Sequence, residues 1–335
     1  ARAITREQVM MLDILANNEW KRSICFSSPG GSDVSMALYR GGFIKQNGVV
    51  FELSPLNNIN ERFSADRMYN NLMKNYKWGA MSNPNVITDY YARRHTSQYR
   101  LQFLSLAEDF IAKAYNAEED NSRRQMMLSM GRDETTLPPV VTEAKIKEYK
   151  EKAKKLIHRS LEVMPAEIVI DYGEPNQSNN PDDGYEINGK TLPGFNDGVL
   201  HEYVGMLYMA GDKAGAEKLG KVVADQLESI IGYFENSKIV LSSNNGNTKD
   251  LYAALSSYFK LHAASNDPEL GNPNGALAKR TRAQVQYIYK TFFPSIIGQL
   301  KEAAQENGES TRRGSSAERY ANMMFDFEDY SNGMA

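Results

Sequence analysis

Residues 142–165 read TEAKIKEYKEKAKKLIHRSLEVMP and carry the clearest fold signal in the chain. The segment predicts one helix over about 142–163, because the proline at its end cannot continue a helix. The alternating Lys and Glu side chains indicate a solvated face. The other face follows an order of small, large and small residues before the proline: Ala153, Ile157, Ser160, Leu161 and Pro165. Small residues let two helices approach closely while the large residue fills the gap, so this order favours a helical hairpin.

The same order is typical of the second helix and closing proline of a tetratricopeptide repeat. The first helix of this candidate repeat would be Leu101–Ala114, with Ala107 and Phe110 at the contact. A second candidate repeat turns at Gly211-Asp212 and uses Val204, Leu207, Ala216, Gly220 and Val223. A third and looser hairpin joins Leu251–Leu261 to Ala276–Phe292. The sequence therefore predicts a mainly α chain with a tetratricopeptide-like helical-hairpin superhelix, and a helical bundle without repeats, in which such matches also arise, is the alternative.

Residues 1–62 depart from this pattern and predict a small α/β unit. Thr5-Arg6-Glu7-Gln8 is a capping box, so a helix should begin there and end near Asn17. Strands are expected over Trp20–Ser27 and Gly48–Leu53, with a short helix over Asp33–Tyr39 between them. Cys25 lies in the first strand and is expected to be a buried, inert thiol.

Residues 63–306 are expected to form the helical-hairpin domain, followed by a polar tail over 307–335. Ser64 should cap its first helix, and Pro294 should kink or divide its last. Two polar stretches, 117–141 and 166–198, are expected to be insertions, and Tyr185–Leu192 reads as a hairpin around Asn188-Gly189. Further helices are predicted over about Tyr90–Tyr115, Val199–Met209, Lys213–Glu235, Lys249–Ala264 and Ala276–Glu306.

Bulk composition excludes several protein classes. The chain has 335 residues and a net charge of −3 without a basic cluster, so it does not resemble a nucleic-acid-binding protein. No window approaches 18 consecutive apolar residues, so no membrane-spanning helix is expected. A first residue that is not Met, with no leader peptide, suggests a fragment of a longer protein.

The sequence predicts no catalytic residue, metal ion or cofactor. The four histidines are scattered without metal-ligand spacing, and the single cysteine has no obvious base partner. Three weaker binding signals remain. Gly30 and Gly31 follow a strand and precede a helix, where an anion could bind, although a plain turn is the favoured interpretation because no phosphate-loop lysine is present. Arg93 and Arg94 could bind a phosphate or carboxylate, or lie exposed or paired on a helix. Tyr203 and Tyr208 could contact peptide or sugar on a concave helical face, or simply pack between helices.

Five motifs in the first half of the chain resemble a known family: Asn17-Asn18-Glu19-Trp20-Lys21-Arg22 before an apolar strand, Met68–Met73, Lys77–Met81, Asn85-Val86 and Leu161–Pro165. Together they resemble a large family of multispanning bacterial membrane proteins that is similar to protein O-mannosyltransferase-like glycosyltransferases. The resemblance covers residues 5–165 and is only topological beyond them. Ser23 stands where a proline is common, and the two polar stretches are longer than usual.

The resemblance implies a membrane-embedded part upstream and a periplasmic part with tetratricopeptide-like helices. The catalytic acids of such transferases lie in loops of the membrane part, so no catalytic residue carries over to this chain. We therefore expect a non-catalytic, extracytoplasmic domain that presents an acceptor polypeptide or binds a partner protein. The alternative is a free-standing tetratricopeptide-like adaptor.

Overall fold

The structure, a computed structural model, describes residues 4–28, 30, 32–59, 63–86, 90–169, 186–187, 190–191, 199–236 and 246–306. The chain is mainly helical, with a small three-stranded antiparallel sheet near its N-terminus, which confirms the predicted fold class. Contacts divide it into two compact units, Ala1–Pro165 and Ala166–Ala335. The domain boundaries drawn from the sequence stay predictions.

The elements of the first unit follow the chain in this order: α1 Arg6–Asn17, β1 Cys25–Phe26, α2 Asp33–Arg40, β2 Ile44–Asn47, β3 Val50–Leu53, α3 Ala65–Asn70, a π-helical turn Asn71–Asn75, α4 Tyr90–Ser129, a 3₁₀ turn Glu134–Thr136 and α5 Glu143–Val163. Those of the second unit are β4 Glu186–Ile187, β5 Lys190–Thr191, α6 Leu200–Met209, α7 Lys213–Asn236, α8 Gly246–Asn266 and α9 Ala276–Glu306.

The beginning of the first unit is partly as predicted. The capping box is confirmed, because the Gln8 amide donates to the Thr5 hydroxyl oxygen at 3.3 Å and the Thr5 amide donates to Gln8 Oε1 at 3.0 Å. The long strand over Trp20–Ser27 is wrong: Glu19 and Trp20 adopt left-handed φ angles of 48° and 58°, and only Cys25–Phe26 pairs with the sheet.

The sheet has the order β1-β3-β2, and the sequence missed β2. β2 and β3 pair Asn47 with Val50 across a tight turn that starts at Gly48, whose φ is +77°. Cys25 lies on the edge strand and is exposed, so the expectation of a buried thiol is wrong. Its pKa is nevertheless raised, first by partial burial and then by the carboxylate of Glu52.

The helices that follow correct two further predictions. Ser64 precedes α3 but makes no side-chain capping hydrogen bond, and the helix widens to a π-helical turn at Asn71. Helix α4 continues to Ser129 instead of ending near Tyr115, so the first half of the expected insertion at 117–141 is helical. The rest of that stretch folds back along α4, because Asn121 Nδ2 donates to the Val141 carbonyl at 2.7 Å and its Oδ1 accepts from the Val141 amide at 3.0 Å.

The predicted hairpin partners α4 and α5 do pack against each other. Ala107 and Phe110 of α4 are buried, as are the small and large residues of α5 that suggested the contact, Ala153, Ile157 and Ser160. Thr142 caps α5 by accepting a hydrogen bond from the Lys145 amide. This core is the close helix–helix contact that the residue order favoured.

In the second unit, α6 and α7 are joined by the predicted turn, where Gly211 has a φ of +81°. Asp212 Oδ1 accepts a hydrogen bond from the Gly215 amide at 3.0 Å at the start of α7. Helix α8 packs against both α6 and α7, and α9 packs against α7 and α8. Helix α9 runs through Pro294 undivided. Strands β4 and β5 pair in antiparallel fashion, which confirms the hairpin strands, while Asn188 and Gly189 lie outside the described residues.

Candidate binding surface

The glycines proposed for anion binding lie before α2. Gly30 is exposed, and its amide donates to the Ser28 hydroxyl oxygen at 3.2 Å, while Gly31 lies outside the described residues. Helix α2 is capped by its own residues, because the Ser35 amide donates to Ser32 Oγ and the Ser32 amide donates to Ser35 Oγ, each at 3.1 Å. These amides are already engaged within the chain. An anion site at this position stays a prediction, and the hydrogen bonds between Ser32 and Ser35 do not favour it because they occupy the amides that an anion would bind.

The arginines proposed for phosphate or carboxylate binding are in the first turns of α4. The side chains of Arg93 and Arg94 lie outside the described residues, so their binding role stays a prediction. Arg100, one to two turns later on the same helix, is buried and donates from Nη2 to the Met164 carbonyl at 3.0 Å. Its guanidinium therefore secures the C-terminal end of α5.

The tyrosines proposed for a concave face are both buried on α6. Tyr208 Oη donates to Glu217 Oε1 at 3.2 Å, and its pKa is raised, first by burial and then by the charge of Glu217. In this conformation the rings of Tyr203 and Tyr208 pack in the helical core. A binding role for them stays a prediction, and it would require movement of α6.

A polar network that the sequence did not reveal joins α7, α8 and α9. Arg280 donates from Nε and Nη2 to the two carboxylate oxygens of Glu228 at 2.9 and 2.7 Å. The buried Tyr258 hydroxyl donates to the same carboxylate at 2.7 Å. Its pKa is raised, first by burial and then by this hydrogen bond. Because one carboxylate serves donors from two other helices, the network stabilises their packing.

Helix α1 and its flanks expose several apolar side chains of the first unit. No residue of α1 is buried. Six large apolar side chains of this region are exposed, from 47% for Leu12 to 65% for Ile4; the others are Val9, Met10, Ile14 and Trp20. Contiguous exposed apolar patches mark interaction sites in folded proteins, whereas single exposed apolar side chains are common.

Part of this surface is a groove between α1 and α2 with a volume of about 410 Å³. Its walls are apolar and carry a single pair of polar groups at the rim. The apolar lining consists of Ile4, Leu12, Val34, Ala37, Leu38 and Phe43. At the rim, Gln8 Nε2 donates to Asp33 Oδ2 over a long distance of 3.4 Å. The groove therefore suits a row of apolar side chains, with Asp33 available to a positive group beside it.

Two features are absent from the part of the chain that the structure describes. It contains no group of three His, Cys, Asp or Glu side chains placed to hold a metal ion. None of its helices is both long enough and apolar enough to cross a membrane.

A known protein family is similar to the N-terminal end of the chain, which contains the groove. Residues 1–72 match the family model of TMEM260-associated domain 2. The N-terminal fifth of the chain is similar to that domain. The matched segment contains α1, the three-stranded sheet and every residue that lines the groove. No curated protein and no solved structure matches the chain.

Proposed function

We propose that the chain is a polypeptide-binding domain of a TMEM260-like membrane protein and holds a partner or acceptor polypeptide in the groove between α1 and α2. The observation that carries the proposal is the groove itself, which is apolar, open and contained in the segment that matches TMEM260-associated domain 2. An amphipathic helix could place apolar residues in it at i, i+3 and i+4 spacing. A lysine or arginine of that helix would lie near Asp33.

The wider setting of the proposal comes from the resemblance of the first half of the chain to glycosyltransferase-like membrane proteins. In that setting the domain lies on the extracytoplasmic side of the membrane. Its role is to bring a polypeptide close to a catalytic site in the membrane part, without supplying a catalytic residue. A domain with this role needs a shaped apolar surface and no reactive centre of its own.

The second unit adds a scaffold of tetratricopeptide type, which we include in the proposal. The packing of α8 on both α6 and α7 supports it, since each new hairpin of such a stack contacts both helices of the one before. The buried small residues Ala216 and Gly220 of α7 also support it. A stack of this kind would give the parent protein an extended surface for a second partner.

The test is binding of fluorescent amphipathic helical peptides to the purified chain, measured by anisotropy. Leu12→Asp places a charge in the groove at a site exposed enough to leave the fold intact. A buried leucine contact is worth about 1.5–3 kcal/mol, so we expect an affinity loss of about tenfold or more. Leu56→Asp is the matched control, because Leu56 is 76% exposed and lies outside the groove. Equal peptide binding by both variants would exclude the groove as the binding site.

The alternative, a free-standing adaptor, predicts the same peptide binding in the groove. The two proposals differ in what the gene encodes upstream of Ala1. Membrane-spanning helices encoded upstream of Ala1 would support the membrane-protein proposal. A start codon or leader directly upstream would support the adaptor.

A further inference from the structure

A second surface of α1 lies away from the groove. Arg6, Met10, Asp13 and Ile14 follow the spacing i, i+4, i+7 and i+8, so they form one stripe along the helix. We call these four residues the α1 stripe. All four are exposed, and Met10 and Ile14 are 62% and 58% exposed. Leu12 of the groove lies on the opposite side of the helix, because two residues correspond to about 200° of rotation.

The α1 stripe carries one charge of each sign on either side of Met10, and Ile14 follows Asp13. Arg6 and Asp13 are seven residues apart, or about 10 Å along the axis. Neither takes part in an ion pair within the described parts of the chain; Asp13 Oδ1 accepts a hydrogen bond from the side-chain nitrogen Nδ2 of Asn17 at 2.9 Å. When two such helices lie antiparallel, the positive charge of each faces the negative charge of the other.

We propose that the α1 stripe binds the α1 stripe of a second copy of the chain, with the two helices antiparallel about a twofold axis close to Met10. In that arrangement Arg6 of each copy meets Asp13 of the other, the two Met10 side chains cover each other between the ion pairs, and Ile14 lies just outside them. A parallel pair would instead set Arg6 against Arg6 and Asp13 against Asp13. Charge complementarity thus selects both the partner and its direction, as an isologous interface requires.

The α1 helix has 12 residues, so the interface is short. We expect a weak dimer with a Kd in the micromolar range, strengthened at low salt because the charged pairs are exposed. The groove side of α1 stays available in this dimer. Self-association and peptide binding are therefore separate properties, and either proposal can fail without the other.

The test is sedimentation equilibrium of the full chain over a range of micromolar concentrations at low salt. Arg6→Asp leaves two negative charges facing each other at each end of the interface, and Asp13→Arg leaves two positive charges there. Each variant alone should therefore dimerise about tenfold more weakly than the wild type. An equimolar mixture of the two variants should recover the wild-type affinity as a heterodimer, because every negative charge then meets a positive one.

The double variant that combines Arg6→Asp with Asp13→Arg should recover the wild-type affinity as a homodimer, since it exchanges the two charges within each stripe. Arg6→Asp places a favourable negative charge in the first turn of α1, and circular dichroism would check that the helix persists in the double variant.

Lys147→Asp changes an exposed charge on α5 and is the matched control, expected to dimerise like the wild type. Leu12→Asp should also leave the dimer unchanged, which separates this test from that of the groove. A wild-type chain that stays monomeric at every concentration would overturn the proposal. So would single variants that dimerise normally, or a mixture that fails to recover the wild-type affinity.

Discussion

Acidification should destabilise the second unit through one buried histidine, His262 on α8. Burial, and then the nearby guanidinium of Arg282, lowers its pKa from 6.5 to about 4. The hydrogen bonds around the ring explain why the neutral form is held. Arg282 Nη1 donates to Asn266 Oδ1 at 2.8 Å, which turns the amide nitrogen of Asn266 toward His262 Nδ1 at 3.0 Å. Nδ1 must then accept a hydrogen bond, and protonating it would place two donors face to face.

The pKa difference fixes the direction and the pH window of the effect. Because the folded-state pKa lies below the unfolded value of 6.5, the neutral ring stabilises the fold fully above pH 6.5. This contribution is lost as the pH falls from 6.5 toward 4. From these pKa values, lowering the pH from 7 to 5 should reduce the free energy of unfolding by about 2 kcal/mol through His262 alone.

The measurement is urea unfolding of the full chain at pH 7 and pH 5, followed by far-ultraviolet circular dichroism. His262→Gln keeps an acceptor for Asn266 but cannot titrate, so we expect it to lose about 2 kcal/mol less than the wild type between the two pH values. His158→Gln is the control, because His158 is exposed on α5. If the wild type and His262→Gln lose equal stability, the low pKa of the buried ring does not govern the acid response.

Three further perturbations have expected outcomes that thermal or urea unfolding would measure. Gly48→Ala should cost about 3 kcal/mol, because a Cβ at φ +77° would collide with the Tyr76 ring, whereas Gly79→Ala, at φ +62° with open space around it, should cost about 1 kcal/mol. The raised pKa of Tyr258 stabilises the fold below pH 10, and this contribution is lost at higher pH. Tyr258→Phe should therefore lose less free energy of unfolding than the wild type when the pH is raised above 10. Arg280→Lys should cost about 1–2 kcal/mol, because a lysine cannot make the two parallel hydrogen bonds to Glu228, and the same loss in a Glu228→Gln background would refute that reason.

Local patterns predicted the elements whose signals lie within a few residues. The capping box of α1, the helix before Pro165 and the turn at Gly211 all depend on neighbouring residues, and the structure confirms each. Strand β2 was missed because Lys45-Gln46-Asn47 is polar and its pairing is decided by β3. Helix α4 was predicted too short because its polar last turns have no apolar periodicity. They are instead accompanied by a loop that Asn121 and Arg124 bind through hydrogen bonds to Val141 and Pro138.

The aromatic residues show why a candidate site is harder to predict than a helix. Tyr203 and Tyr208 occur at helical spacing, which is compatible with a core and with a binding face alike. Only the packing of α6 on α7 and α8 buries them, and those contacts join residues far apart in the sequence. The Tyr208 hydroxyl donates a hydrogen bond to Glu217, so the ring can be buried without leaving its polar group unsatisfied.

Helix α1 shows the converse limit. The sequence predicted this helix, but periodicity identifies which sides of a helix are apolar without saying what covers them. The neighbouring α2 has only eight residues, and it covers α1 so incompletely that Met11 and Leu15 are half-buried while Leu12 and Met10, on opposite sides, are exposed. Two separate apolar areas therefore remain, one continuous with the walls of a groove and one that includes Met10, between the opposite charges of Arg6 and Asp13. The groove suits a different polypeptide chain. The α1 stripe suits a second copy of this chain, because its charges are complementary to themselves in the antiparallel direction. The two sides of this short helix are therefore tested by two different experiments.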